Sequence, residues 1–147
     1  MKNLSRIKIF FLLVSLIPLA FGGNENLIRG GFEFPAGWSF PPTASLDYSI
    51  FKSNPPSLKI EGSYGATYSL FVGENERFTL SCWIKTKEVK PTVENKGYAF
   101  LAVYEYDFHG RLLAFKDIVQ ITGTQDWNFY SYSFTTPPGT FYINIFC

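Results

Sequence analysis

The sequence predicts an all-β fold, and three observations predict it. Aromatic residues make up 19% of the 147 residues, mostly as 16 Phe and 9 Tyr, and such residues favour strands over helices. Short runs of alternating polarity recur between Gly, Pro and Asn clusters, as half-buried strands do. Apolar runs at helical spacing are absent after the first two dozen residues, while 9 Pro and 12 Gly supply turns. A hydrophobic share of 46% argues against disorder, and the length suits one domain.

The chain opens on a predicted targeting segment, residues 1–22. Lys2, Arg6 and Lys8 form a positive region, and residues 9–19 form an apolar core. That core is shorter than the ~20 residues a membrane span needs. Ala20-Phe21-Gly22 places cleavage before Gly23, and no Cys follows for a lipid anchor. The alternative is an uncleaved N-terminal anchor. Either reading exports the domain, residues 23–147, to a secreted, extracellular or periplasmic location. Without Lys2, Arg6 and Lys8, ten basic residues face twelve acidic ones. No basic stripe offers itself to nucleic acid.

The strands follow in order. Residues 26–33 read as a short strand running into the Gly30-Gly31 turn. Residues 38–40 form a strand stopped by Pro41-Pro42, and residues 44–51 alternate loosely before the 52–56 loop. Residues 57–60 turn Leu58 and Ile60 inward, and residues 66–72 end at Gly73-Glu74-Asn75. Residues 76–86 alternate most cleanly: Phe78, Leu80, Cys82 and Ile84 make a core face, and Thr79, Ser81, Trp83 and Lys85 an outer one. Trp83 is a large ring on a polar face, which is unusual. Residues 87–96 read as a charged loop. Residues 97–106 are apolar on both faces, as in a central strand, and Gly110 closes a turn with His109. Residues 112–122 are extended, and residues 122–126 read as a turn. Residues 127–134 alternate Tyr130, Tyr132 and Phe134 against Phe129, Ser131 and Ser133 until Pro137-Pro138-Gly139 stops them. Residues 141–146 alternate Ile143 and Ile145 against Tyr142, Asn144 and Phe146. Nine or ten short strands at regular spacing imply a sandwich or barrel.

Two cysteines are too few for a disulfide framework; Cys82, on the apolar face, reads as a free buried thiol. The single histidine, His109, has no nucleophile beside it in a motif. No Cys/His cluster, phosphate loop or zincin motif is present. Glu105 is the one acid in a strongly apolar strand, so it reads as a catalytic acid or as a group facing a ligand or a sheet edge. Binding is the stronger reading. Sugars need rings for their apolar faces and amides, carboxylates or guanidiniums for their hydroxyls. Trp83, Phe129, Glu105, Gln120 and Arg111 supply such a set, and Tyr68 and Tyr98 can join it. The plain alternative is that most of these rings are core.

In order, the segments NLIRGGFEF, GWSF, PSLKIEG, RFTLSCWIKT, FLAVYEYDFHGRLL and ITGTQDWNFYSYSFTTPPGTFYINI resemble the carbohydrate-binding modules of families four, nine and twenty-two. The resemblance runs from about Asn26 to the end. It implies a galactose-binding-domain-like jelly-roll β-sandwich of two antiparallel sheets, a site for polysaccharide or oligosaccharide, and a monomer often fused to a glycoside hydrolase without being one. It also implies a structural calcium held by Glu33, by carbonyls near Gly31 and the Lys52-Ser53 loop, and by an Asp on a final strand that lies beyond the segments matched here. Calcium favours such oxygen ligands. The expected function is non-catalytic carbohydrate binding; a protein-interaction or adhesion module, or part of a glycosyl hydrolase, is the alternative on the same fold.

Overall fold

Strict alternation between residues 77 and 86 runs through most of the long strand over residues 77–89 and fixes which face enters the core. A computed structural model of the chain describes the backbone of residues 8–18 and residues 27, 28, 32, 36–62, 65–91 and 97–147. These residues are all-β. The strands are β1 (Lys8–Pro18), β2 (Trp38–Ser39), β3 (Ala44–Asp47), β4 (Ser57–Glu61), β5 (Thr67–Phe71), β6 (Arg77–Val89), β7 (Ala99–Tyr106), β8 (Leu112–Ile121), β9 (Gly123–Thr135) and β10 (Tyr142–Phe146). They pair antiparallel in two five-stranded sheets. Sheet A has the order β3-β4-β1-β6-β9, and sheet B the order β2-β5-β10-β7-β8.

A single core lies between the sheets. Sheet A contributes Leu58, Ile60, Phe78, Leu80, Cys82, Ile84 and Phe134; sheet B contributes Ala99, Leu101, Val103, Ile143 and Ile145. Each large apolar side chain buried this way stabilises the fold by about 1.5–3 kcal/mol. The layering is that of a β-sandwich. Every residue opposite a core residue shares its face, so the outer faces follow from the registers. Cys82 and Cys147 are both free and buried. Burial pushes the Cys82 thiol up to about 12, and burial followed by the neighbouring Cys82 pushes Cys147 up as well.

Several boundaries differ from the sequence reading. The strand expected over 44–51 stops at Asp47, because the Asp47 carboxylate accepts hydrogen bonds from Ser49 N (2.8 Å) and Ile50 N (3.0 Å) and bends the chain. The charged loop begins three residues later than expected, since β6 runs to Val89. The turn expected over 122–126 shrinks to the connection around Thr122, with Gly123 at φ +80°. Gln125 and Asp126 belong to β9 instead. Most of the strand expected over 26–33 lies outside the described residues. The apolar run read as a targeting segment includes β1, which pairs with β4 on one side and β6 on the other.

Candidate functional site

The outer face of sheet B is built from three registers. Tyr142 lies opposite Phe71 on β5 and Tyr106 on β7; Asn144 lies opposite Ser69 and Tyr104; Phe146 lies opposite Thr67 and Ala102. On the far side, β8 sets Phe115 opposite Tyr104, Asp117 opposite Ala102 and Gln120 opposite Phe100. Alternation turns all of these away from the core, because their chain neighbours Val103, Ile143 and Ile145 are fully buried.

The rings on this face order one another. Tyr106 and Tyr142 stack with centroids 4.9 Å apart and planes 8° from parallel. Tyr104 stacks on Phe115 at 5.5 Å and meets Phe146 edge-on at 4.9 Å. Phe71 meets Phe141 edge-on at 5.4 Å, and both are exposed. Polar groups interrupt the rings. Ser69 Oγ donates to Asn144 Oδ1 (2.7 Å), Gln120 Nε2 donates to Asp117 Oδ2 (3.1 Å), and Asn144 also hydrogen-bonds the Tyr106 side chain. Burial, then the neighbouring Tyr142 and Tyr104, push the Tyr106 phenol above its ordinary range. It is a neutral hydrogen-bonding group at physiological pH. Phe71, Phe115 and Phe141 are exposed, while Tyr104, Tyr106, Tyr142 and Phe146 are half-buried between them; large apolar patches rimmed by polar groups are where ligands and partners bind.

The outer face of sheet A carries a smaller platform. Trp83 on β6 lies opposite Phe129 on β9, with ring centroids 5.2 Å apart and planes at 51°. Lys52, from the loop between β3 and β4, places Nζ 4.7 Å from the Trp83 ring centre. A bulge sets Asp126 and Trp127 against the single residue Lys85. It brings Asp126 Oδ1 within 2.6 Å of Lys85 Nζ. The Lys85 hydrogen bond first, then that of Trp127 N, holds the Asp126 carboxyl below the ordinary carboxylate range. Lys85 and Asp126 also line a recess of about 470 Å³ with Thr86, Lys87, Glu88, Thr124 and Gln125. Glu88 sits there at φ +55°, a strained conformation for a residue with a Cβ, and its N–H donates to Thr124 Oγ1 (2.9 Å).

The six predicted ligand residues therefore separate. Trp83 and Phe129 come together on sheet A. Gln120 joins the ring face of sheet B. Arg111 sits in the β7–β8 turn, where Nε donates to Asp107 Oδ2 (2.7 Å). Tyr68 packs on Trp38 at 5.3 Å and turns toward the core. Tyr98 stands at the entrance to β7, edge-on to Phe100 at 6.2 Å.

Glu105 does not face outward with them. It points inward beside Val103, between Ile143 of β10 and Ala114 of β8, and is fully buried. Among the described residues, neither carboxylate oxygen has a hydrogen-bond partner; Lys116 Nζ stands 3.8 Å from Oε2. Burial raises the Glu105 carboxyl above its ordinary range, and Lys116 opposes that rise. A sealed carboxyl cannot touch a surface ligand.

The residues that sequence reasoning missed are Tyr104, Tyr106, Tyr142, Phe115 and Asn144. Their alternation was visible, but the pairing that assembles them was not. Of the calcium set, Glu33 and Gly31 lie outside the described residues, and Ser53 lies in the exposed loop between β3 and β4. Among the described residues, no three or more His, Cys, Asp or Glu gather in one place. No protein-family model and no curated protein matches this chain.

Proposed function

We propose that this chain is a secreted, non-catalytic carbohydrate-binding module, and that the outer face of sheet B is its polysaccharide site. The observation that carries the reading is the ladder of Phe71, Tyr142, Tyr106, Tyr104 and Phe115 across four adjacent strands, punctuated by Asn144, Ser69 and the Gln120–Asp117 pair. Pyranose rings present apolar faces edged with hydroxyls. Flat aromatic rings take the faces, and amides, hydroxyls and a carboxylate take the edges. The rings are held by neighbouring rings, so little side-chain entropy is lost on binding. The face carries one described charged group, Asp117, which suits an uncharged polymer.

The two-sheet layering supports the jelly-roll topology that the resemblance implies; a monomer and export rest on the resemblance and on the sequence of residues 1–22. Attachment to a glycoside hydrolase, with affinity gained by avidity, belongs to the same reading, as does a structural calcium. The burial of Glu105 supports a binding role over a hydrolytic one, since glycosidic cleavage needs two acids facing the bond across roughly 5–9.5 Å.

Affinity electrophoresis of the full chain in gels containing xylan, β-glucan, soluble cellulose or mannan tests the proposal. Retardation by at least one polymer is expected. Unaltered mobility in all four, for a folded and calcium-supplied sample, overturns it in favour of an adhesion module.

A further inference from the structure

We propose that the Trp83–Phe129 platform on sheet A is a second saccharide site, so that one chain bridges two polysaccharide strands. This rests on the carbohydrate reading of sheet B. The two outer faces point away from one another, because the shared core lies between the sheets. A saccharide on one leaves the other free.

The chemistry of the second face matches the first in kind and differs in detail. Phe129 is 54% exposed and stands against Trp83 at 5.2 Å with the planes at 51°, so the pair offers apolar ring surface to a sugar. Along β6 and β9 on one side of the rings lie facing hydroxyls: Ser81 opposite Ser131, and Thr79 opposite Ser133, the latter two joined at 2.8 Å. On the other side stands the Lys85–Asp126 pair, at the mouth of the 470 Å³ recess. A polymer running along the strands thus meets hydroxyl donors, a ring platform, and then an ammonium–carboxylate pair with a recess beyond.

Three features single this stretch out from an ordinary strand face. Trp83 is a large, half-buried ring in a row of polar neighbours on its own strand, Thr79, Ser81 and Lys85. The bulge inserts Asp126 against Lys85 where a regular ladder would hold one residue. Glu88 holds its strained backbone at the recess, a conformation that tends to cluster at binding sites. Lys52 Nζ stands over the Trp83 ring at 4.7 Å, and Phe129 beside it is exposed.

The test counts sites. Equilibrium dialysis of the full chain against cellohexaose and xylohexaose is expected to saturate at two molecules per wild-type chain for at least one of them. Trp83→Ser and, separately, the exposed Phe129→Ser are each expected to bring the count to one. Wild type is also expected to sediment the matching polymer, soluble cellulose or xylan, as a network, while either variant still binds that polymer in an affinity gel without networking it. A count of one for wild type overturns the second site and leaves the sheet B reading standing. A count of two in both variants, with thermal melts showing them folded, also overturns it. A count of zero for wild type, with no gel retardation, overturns both readings together.

Discussion

Tyr106 and Tyr142 face one another from directly opposite positions on β7 and β10, their planes 8° from parallel at 4.9 Å. The pair sits in the middle of sheet B, where strands on both sides hold it. Asn144 hydrogen-bonds the Tyr106 side chain, so packing and a polar contact together hold the pair. The outermost members of the face, Phe115 and Phe71, are 56% and 76% exposed. Phe115→Ser and Phe71→Ser should therefore leave thermal stability within about 0.5 kcal/mol. They should weaken polymer binding several-fold, as measured by affinity electrophoresis beside a thermal melt. A large loss of stability with unchanged binding would count against the face.

Glu105 is predicted to lower stability at neutral pH. Its folded carboxyl titrates above the unfolded value of about 4.3, because burial disfavours its charged form more than Lys116 restores it. The folded state is then relatively most favoured below pH ~4, and this contribution is lost as pH rises through the folded value. Glu105→Gln, which removes the charge that burial disfavours, should raise the denaturation midpoint at pH 7. The gain should shrink toward pH 4. A variant less stable than wild type at pH 7 would show that the Lys116 pairing outweighs burial.

Asp107 behaves in the opposite way. Burial works against its charge, but Arg111 through backbone and side chain, and His109 through its backbone, bind the carboxylate and hold it below the ordinary range. The turn between β7 and β8 therefore gains stability above pH ~3.9, the unfolded value, and loses it as pH falls through the lower folded value. Asp107→Asn should destabilise the chain at pH 7, and the difference from wild type should vanish in acid. Paired urea melts at pH 7 and near pH 3 would check this.

The first strand gives a third prediction. β1 is paired on both sides, with Phe11 opposite Leu58 of β4 and Ile84 of β6. In the full chain, amides of residues 9–12 should exchange with solvent about as slowly as those of β6. A chain starting at Gly23 should melt at a lower temperature and show faster exchange along β4 and β6, where β1 no longer pairs. Random-coil exchange over residues 9–12 would contradict the pairing. The same residues carry the features of an export signal, so β1 and signal cleavage draw on one segment.

Faces were legible in the sequence and partners were not. Period-two alternation correctly separated Phe78, Leu80, Cys82 and Ile84 from Thr79, Ser81, Trp83 and Lys85, and it marked residues 97–106 as a central strand. Register is a long-range property. Trp83 meets Phe129 across 46 positions of chain, and Ser69 meets Asn144 across 75. Bulges after Leu101 and near Lys85 shift those registers in ways no local pattern announces. Glu105 shows the cost of reading composition without register: alternation groups it with Val103, and only the buried Ile143 beside it reveals that this face points inward.

The most direct test of the central claim is the affinity of Tyr142→Ala for whichever of xylan, β-glucan, soluble cellulose or mannan retards the wild-type chain, measured by affinity electrophoresis with a melt to establish folding. Removing one ring of the stacked pair should raise the dissociation constant about tenfold or more, which is about 1.4 kcal/mol. A folded Tyr142→Ala chain that migrates like wild type at every polymer concentration would contradict the assignment of the site to sheet B.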